Sequence, residues 1–397
     1  MDIKGLYDKY IMNSYQRFDV EVAKGRNSDW YDDNGVKHID FTSGIGVNSL
    51  GLCSDEWAEA VSTQAKLLPH TSNLYYTRPA VELAKKLCDK TGYSKVFFCN
   101  SGAEANEGAI KLARKRSYDK YGNGMGADFR RNTIITLENS FHGRTVTTLS
   151  ATGQDAFHKY FFPFTPGFVF AKPNNIEDLK SKIDSTVCGI MLEFIQGEGG
   201  VVPLNAEFVA AVKTLCEEHD LTFIADEVQT GVGRTGKFLA GDWFGVTPNI
   251  TTLAKGLGGG LPIGAVLADI EYGKVFSHGD HGTTFGANPV VCAGANVVMD
   301  TVLAGGFLND VVEKGKFIVE TVSKCVKVNA ITGKGMMLGI SLKDTDKTAR
   351  QIAEECIKIG LLVLTAKEKV RLLPPLNITM EELKRGIEIL INVIEKE

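Results

Sequence analysis

A lysine set directly behind an apolar run and followed by glycines is a poor candidate for a solvated surface charge. Lys255, in Thr251-Thr-Leu-Ala-Lys-Gly-Leu-Gly-Gly-Gly-Leu-Pro262, is such a residue. Lysine forms Schiff bases with carbonyl groups, and partial burial brings its pKa down from about 10.4 toward that of a reactive amine. The flanking glycines would leave room for a flat ligand beside it. A second run, Leu221-Thr-Phe-Ile-Ala-Asp-Glu-Val-Gln229, reads as a buried strand ending in two carboxylates, which point to opposite faces if the chain stays extended. Ligands of open α/β sheets sit beyond the carboxyl ends of the strands, so Asp226 is placed to meet a cofactor; an Asp that caps a turn is the plainer alternative. In a third segment, Phe97–Arg114 (FFCNSGAEANEGAIKLAR), a strand gives way to a helix with Ser101 as N-cap and Glu104 completing a capping box. That alone makes a well-capped helix. Ser101, Gly102 and Ala103 also offer a hydroxyl and free N–H groups at a positive helix end, which suits a phosphate.

Gly231-Val-Gly-Arg-Thr-Gly236 fits the dinucleotide pattern G-x-G-x-x-G behind a strand, the one feature that would support an NAD-dependent oxidoreductase. The next residues, KFLAGDWFG, have no helical period to hold a pyrophosphate, so the loop is expected to be active-site backbone instead. His278 and His281 form an H-x-x-H in a polar loop without a further ligand, so no metal is expected. The eight cysteines show no Cys-x-x-Cys pair and read as reduced core residues. Taken in order, a phosphate cup, Phe141-His-Gly-Arg144, Asp226, Lys255 and Gly282-Thr-Thr-Phe285 form a set that suits pyridoxal phosphate. That cofactor needs a phosphate anchor, flanking groups for its ring, a carboxylate on its pyridine nitrogen and a lysine.

The elements that must hold these residues are visible in the hydrophobic pattern. Lys95–Cys99, Thr133–Leu137, Val187–Leu192, Leu221–Ala225 and Ile250–Leu253 are short apolar runs bounded by turn residues, as buried strands are. Between them Glu207–Glu218 and Asn106–Tyr118 have helical character, the first with Phe208, Val209, Val212, Leu215 and Cys216 on one face. Alternation of this kind implies a mostly parallel sheet covered on both sides. The last fifth changes to a helix near Thr348–Ile359, extended pieces LLVLT and VRLLPP, and a final helix behind the capping box Thr379–Glu382. The expected organisation is a large α/β domain over 51–295 and a small α+β domain built from both ends, 1–50 and 296–397. With 44 basic and 48 acidic residues in 397 and no apolar stretch of membrane-spanning length, a nucleic-acid or membrane partner is not expected. The N-terminus MDIKGLYDKY lacks the marks of a targeting peptide, which points to the cytoplasm.

These motifs, with EFIQGEGG, TTFGANP and VRLLPPLNIT, resemble the class III (ornithine-type) pyridoxal-phosphate aminotransferases of fold type I nearly end to end. The resemblance implies that Lys255 binds the cofactor and shuttles a proton, and that Asp226 meets the pyridine nitrogen. Ser101, Gly102 and Ala103 would cradle the phosphate, with Thr284 of a partner subunit in a homodimer that shares its active sites. Phe141 and Val228 would flank the ring; Gln229 would bond its phenolic oxygen, and Glu227 is counted with the cofactor-binding residues. Arg144 would take the α-carboxylate of N-acetylornithine and the distal carboxylate of 2-oxoglutarate, and Thr283 would touch the acylated substrate. Arg371 would bind the α-carboxylate of glutamate, and Glu198 would pair with Arg371 when the ω-amino donor is bound. The implied activity is transfer of the donor's δ-amino group to 2-oxoglutarate in arginine biosynthesis. Ornithine, succinylornithine, succinyl-diaminopimelate and 4-aminobutyrate are the alternative donors. Ala103 stands where many relatives have Thr, and Phe194 where a Pro is usual.

Overall fold

The computed structural model describes residues 2–396. Seven strands make the central sheet: β1 (Lys95–Cys99), β2 (Thr133–Leu137), β3 (Phe168–Ala171), β4 (Val187–Leu192), β5 (Thr222–Asp226), β6 (Ile250–Leu253) and β7 (Gly264–Ala268). Their order is β1-β7-β6-β5-β4-β2-β3, and all neighbours are parallel except the two pairs made by β7. The expected mostly parallel sheet is therefore present, with one reversed strand. The strand expected over 221–225 lies one residue later, so Asp226 is still paired, opposite Thr252.

Strands β4 to β7 are buried along their whole length, as a sheet enclosed between helix layers requires. Alternate side chains go to opposite layers. Ile190, Leu192, Phe223 and Ala225 pack with Phe208, Val209, Val212, Leu215 and Cys216 of α2 (Ala206–His219). Met191 and Ile224 pack on the other side with Ala105, Ala109, Ile110 and Ala113 of α1 (Gly102–Tyr121). Full burial of one such aliphatic or aromatic side chain contributes about 1.5–3 kcal/mol. Phe194 belongs to the first of these layers, stacked on Phe244 at 5.3 Å between centroids and 18° between planes. Its departure from the usual Pro thus fills core.

The two chain ends share a core. Strands Val22–Arg26, Asp29–Asp32 and Lys37–Asp40 form an antiparallel meander that Leu361–Leu362 joins in parallel, Leu361 opposite Ile39. A second sheet runs Val328–Lys334, Met337–Leu342, Lys369–Leu372, Leu364–Ala366. Ile39 and Phe41 pack with residues of both late helices, Ala349–Lys358 and Met380–Glu395. A Cβ on Gly386 would stand 2.3 Å from the Phe41 ring, so the last helix has to be bare at that point. Helices α3 (Pro289–Val302) and α4 (Phe307–Val322) are bent by 73° at 303–306. Ala295, Val298 and Met299 of α3 join the core of the central sheet, whereas Val311 and Ile318 of α4 join that of the ends. The change of core thus falls at 303–306, past the boundary expected at 296. Among the described residues no single helix is long and apolar enough to cross a membrane.

Candidate active site

The carboxyl ends of β1, β5 and β6 open onto one cavity of about 460 Å³. Its wall takes Ser101, Gly102 and Ala103 from the loop after β1, Asp226 and Val228 from the end of β5, and Lys255 from the turn after β6. Residues distant in sequence meet here because parallel strands all deliver their C-terminal residues to the same edge.

Lys255 has φ of 40°, a left-handed conformation unusual for a residue with a Cβ, at the start of a one-turn 3-10 helix. Its side chain lines the cavity and is half-buried; loss of solvation pulls the ammonium pKa down, Glu198, Asp226 and Glu193 act in the opposite sense and Arg371 adds to the depression. The expectation that the neighbouring glycines make room for a ligand is corrected by their surroundings. A Cβ on Gly256 would lie 2.5 Å from Ser49 Oγ, and one on Gly259 2.8 Å from Val298 Cγ2. They let the turn pack on its neighbours; Gly260 alone of them reaches the cavity wall.

Asp226 is buried and held at both oxygens. Oδ1 accepts from Val228 N–H at 3.0 Å, while Oδ2 accepts from Asn106 Nδ2 at 2.7 Å and faces His142 Nδ1 at 2.8 Å. Thr252 Oγ1 donates to Asn106 Oδ1 at 2.7 Å and so fixes the amide's orientation. Converging donors of this kind fix the carboxylate in place, turned toward the cavity it lines.

At the start of α1 the Ser101 hydroxyl accepts from Glu104 N–H at 3.1 Å, as an N-cap does. The expected capping box does not close on Ser101: Glu104 Oε2 accepts from Asn100 N–H at 2.9 Å and Asn100 Nδ2 at 2.8 Å instead. First-turn N–H groups have no partner within a helix, and those of Gly102 and Ala103 border the cavity. A Cβ on Gly102 would be 2.6 Å from Val228 Cγ1, so Val228 can close one side of the cavity only over a glycine.

Phe141 lines the cavity too, its N–H donating to Glu193 Oε2 at 3.0 Å. The other oxygen of Glu193 accepts from Gly197 N–H at 3.2 Å, so one carboxyl ties two loops. Burial lifts the Glu193 pKa to about 7, aided by the charge of Asp226 and opposed by His142 and the two N–H groups. Arg144 is exposed, its guanidinium 3.9 Å from the Phe157 ring centre. Arg371 is 3% exposed and meets Glu198 Oε1 at 2.5 Å through Nη1, which also donates to Gln229 Oε1 at 3.3 Å. Burial raises the Glu198 pKa, but attraction to Arg371 and the hydrogen bond between them outweigh it and hold the carboxyl low.

Other expected residues stand elsewhere. Glu227 faces away from the cavity, as strand alternation requires: its oxygens accept from Ala240 N–H (2.7 Å), Gly241 N–H (2.9 Å) and Thr230 Oγ1 (3.0 Å). It braces a turn and has no access to a cofactor in the cavity. Thr283 receives a hydrogen bond from Asn100 Nδ2 at 3.0 Å and lines a neighbouring hollow with His281, and Thr284 is exposed. The Gly231–Gly236 loop is absent from the cavity wall, contrary to the expectation that it is active-site backbone. Among the described residues no three His, Cys, Asp or Glu side chains converge as a metal site. Sequence reading missed Asn106, Thr252 and Glu193. For Asn106 a signal existed, an amide inside the small apolar stripe Ala105, Ala109, Ile110, Ala113.

The donor set fits pyridoxal phosphate: a wall built on a bare glycine, a helix start with free N–H groups, a fixed carboxylate and an amine around one hollow. Comparison with known proteins agrees. The pattern of the family Aminotransferase class-III matches residues 10–394. An acetylornithine aminotransferase of Haemophilus ducreyi is 49% identical over 99% of this chain and 98% of its own. The crystal structure of an N-acetylornithine aminotransferase from Stenotrophomonas maltophilia superposes with a TM-score of 0.83 at 33% identity, covering 98% of each chain. That of the ornithine aminotransferase from Toxoplasma gondii gives 0.93 at 28% identity, over 99% of this chain and 94% of the other.

Proposed function

The chain belongs to the class-III aminotransferases, enzymes that depend on pyridoxal phosphate. From that premise we propose that it transfers the δ-amino group of N2-acetyl-L-ornithine to 2-oxoglutarate, giving N-acetyl-L-glutamate 5-semialdehyde and L-glutamate, in arginine biosynthesis. The observation that carries the assignment is the arrangement of two arginines around one half-buried lysine. Arg144 is free at the mouth of the cavity, while Arg371 is neutralised by Glu198 at 2.5 Å. With Arg371 masked, only Arg144 is left to bind an α-carboxylate, and the donor's distal amine can reach Lys255. Once Glu198 swings away, Arg371 receives the α-carboxylate of glutamate, whose amine lies one carbon from it, with Arg144 on the distal carboxylate. Arginine pairs bidentately with carboxylate, so each switch also fixes orientation.

Bound in the cavity, pyridoxal phosphate would carry the amino group and draw electrons from the bond broken at the substrate carbon. Lys255 would hold it and, once displaced by substrate, carry the proton to and from that carbon on Nζ, a role its lowered pKa favours. Asp226 would keep the pyridine nitrogen protonated; Ser101, Gly102 and Ala103 would take the phosphate; Phe141 and Val228 would flank the ring, and Gln229 would face its phenolic oxygen. Thr284 would act on the phosphate of a partner subunit in a cytoplasmic homodimer. The division into a large unit and a small one built from both chain ends belongs to the same reading, with the second boundary at 303–306.

The test is a visible absorbance titration of the holoenzyme with N-acetylornithine, without 2-oxoglutarate. Conversion of the yellow cofactor to its amino form is expected at micromolar to millimolar donor. A spectrum unchanged by N-acetylornithine but converted by ornithine or another ω-amine would reassign the donor.

A further inference from the structure

The Gly231–Gly236 loop takes no part in the cavity, yet its arginine is among the largest fully buried side chains of the protein. Arg234 Nη1 donates to the carbonyls of Met336 at 3.1 Å and Pro374 at 2.5 Å, and the Arg234 carbonyl accepts from Met336 N–H at 3.0 Å. Nη2 is buried without a hydrogen-bond partner among the described residues. Burial draws the guanidinium pKa down to about 9, with Asp40 the charge that pulls it back. A buried cation held only by carbonyls is costly to fold around. The glycines beside it serve the same contact: a Cβ on Gly233 would lie 2.9 Å from Leu308 Cδ2, and one on Gly335 2.4 Å from the Thr235 carbonyl carbon. The loop is pressed against the C-terminal part of the chain.

The two carbonyls stand just beyond the end of the strand pair that carries Arg371. Met336 leads into strand Met337–Leu342 and Pro374 lies just past strand Lys369–Leu372, and the two strands pair with Gly339 opposite Arg371. At the other end of the connection, Gln229 precedes Arg234 in the same loop and accepts from Arg371 Nη1 at 3.3 Å. We infer that Arg234 is a positioning residue: it rivets the strand pair that carries Arg371 to the loop that carries Val228 and Gln229. It thereby sets Arg371 where a substrate α-carboxylate binds. This rests on the proposed assignment of Arg371 to the glutamate carboxylate. Arg234 is absent from the cavity wall and acts through Arg371, so its effect is greatest in the half-reaction in which Arg371 is unmasked.

Half-reaction kinetics of holoenzyme Arg234→Met and Arg234→Lys test this, with circular dichroism for the fold and visible absorbance for the cofactor. Arg234→Met is expected to keep the cofactor absorbance and to raise KM for glutamate about 10- to 100-fold, the scale of an ångström misplacement, while the amine-donor half-reaction changes by less than about threefold. Arg234→Lys, which keeps the charge and a donor, recovers part of the loss. In combination with Arg371→Lys the losses should not add, because both act through one guanidinium. Equal losses in the two half-reactions, or additive losses in the double variant, overturn the inference. If Arg234→Met does not fold, Arg234→Lys and its double variant decide by the same criteria. If Arg371→Ala leaves the glutamate half-reaction intact, the Arg371 assignment and the rivet fall together. A selective loss in Arg371→Ala with an unselective one in Arg234→Met refutes the rivet alone.

Discussion

Two side chains concentrate the chemistry, and each can be removed separately. Lys255→Ala deletes an amine that stands in the cavity, so transamination is expected to vanish while circular dichroism and thermal melting stay close to wild type. Turnover at a normal rate in that variant would refute the assignment of the lysine. Arg371→Ala removes the partner of Glu198 and the proposed seat of the glutamate carboxylate. The glutamate half-reaction is expected to lose about 2–4 kcal/mol of transition-state binding, as for other truncated buried charge pairs, and the donor half much less. Equal losses, read by single-turnover absorbance, would refute the Glu198–Arg371 switch. Lys255 and Asp226 were legible in the sequence because a polar residue that ends an apolar strand has few structural excuses. Glu193 and Asn106 were not, because their partners, Phe141 and Gly197 for one and Asp226 and Thr252 for the other, come together only through packing.

Whole elements were legible where a strand is apolar throughout, as β4 is, and direction was not. The reversal of β7 has a physical reason in the connection from β6, residues 254–263, which is shorter than the dozen or so residues a parallel crossover needs. The start of α1 shows how an element sets a site. Gly102→Ala would push a methyl to within 2.6 Å of Val228 Cγ1 and displace the residue that flanks the cavity. Cofactor affinity, measured by absorbance titration of apoenzyme with pyridoxal phosphate, is expected to fall about tenfold or more, while the alanine itself suits a helix. Unchanged affinity would mean that Val228 does not border the ring. After β5, Glu227 couples an element to pH. Burial lifts its pKa to about 7, against three converging donors. The folded-state value thus exceeds the unfolded one near 4.5. The stability this contributes is full below the unfolded value and is lost as pH rises through about 7, up to about 3 kcal/mol by linkage. Melting curves from pH 5 to 8 should fall in wild type and be flatter in Glu227→Gln. Parallel curves would assign the pH dependence to other groups.

At the scale of the molecule, the single chain leaves apolar surface beside its own cavity. Leu74 is 88% exposed and Tyr76 fully so, on a segment tied to the Thr283–Asn288 loop by Asn73 Nδ2 to the Gly286 carbonyl (2.9 Å) and Asn288 Nδ2 to the Pro69 carbonyl (2.9 Å). His70 and Phe285 meet in the same place with ring centres 5.5 Å apart. Asn100, on the cavity wall, bonds Thr283 of that loop at 3.0 Å. An apolar patch continuous with the mouth of a site marks an interaction surface, and a second copy of the chain is the occupant that the shared-site reading requires. Light scattering is expected to give twice the 43.2 kDa of the chain. Thr284 lies exposed beside Phe285 and away from the cavity of its own chain, so any part it has in phosphate binding must be played across the interface. A Leu74→Asp, Tyr76→Asp variant, designed to stay monomeric by placing charge in the patch, is therefore expected to bind pyridoxal phosphate more weakly than wild type. Thr284→Ala should weaken binding in the same direction without changing the mass. A monomeric wild type would remove the interface; a monomeric variant with undiminished cofactor affinity would leave each chain with a complete phosphate site of its own and refute the role of Thr284.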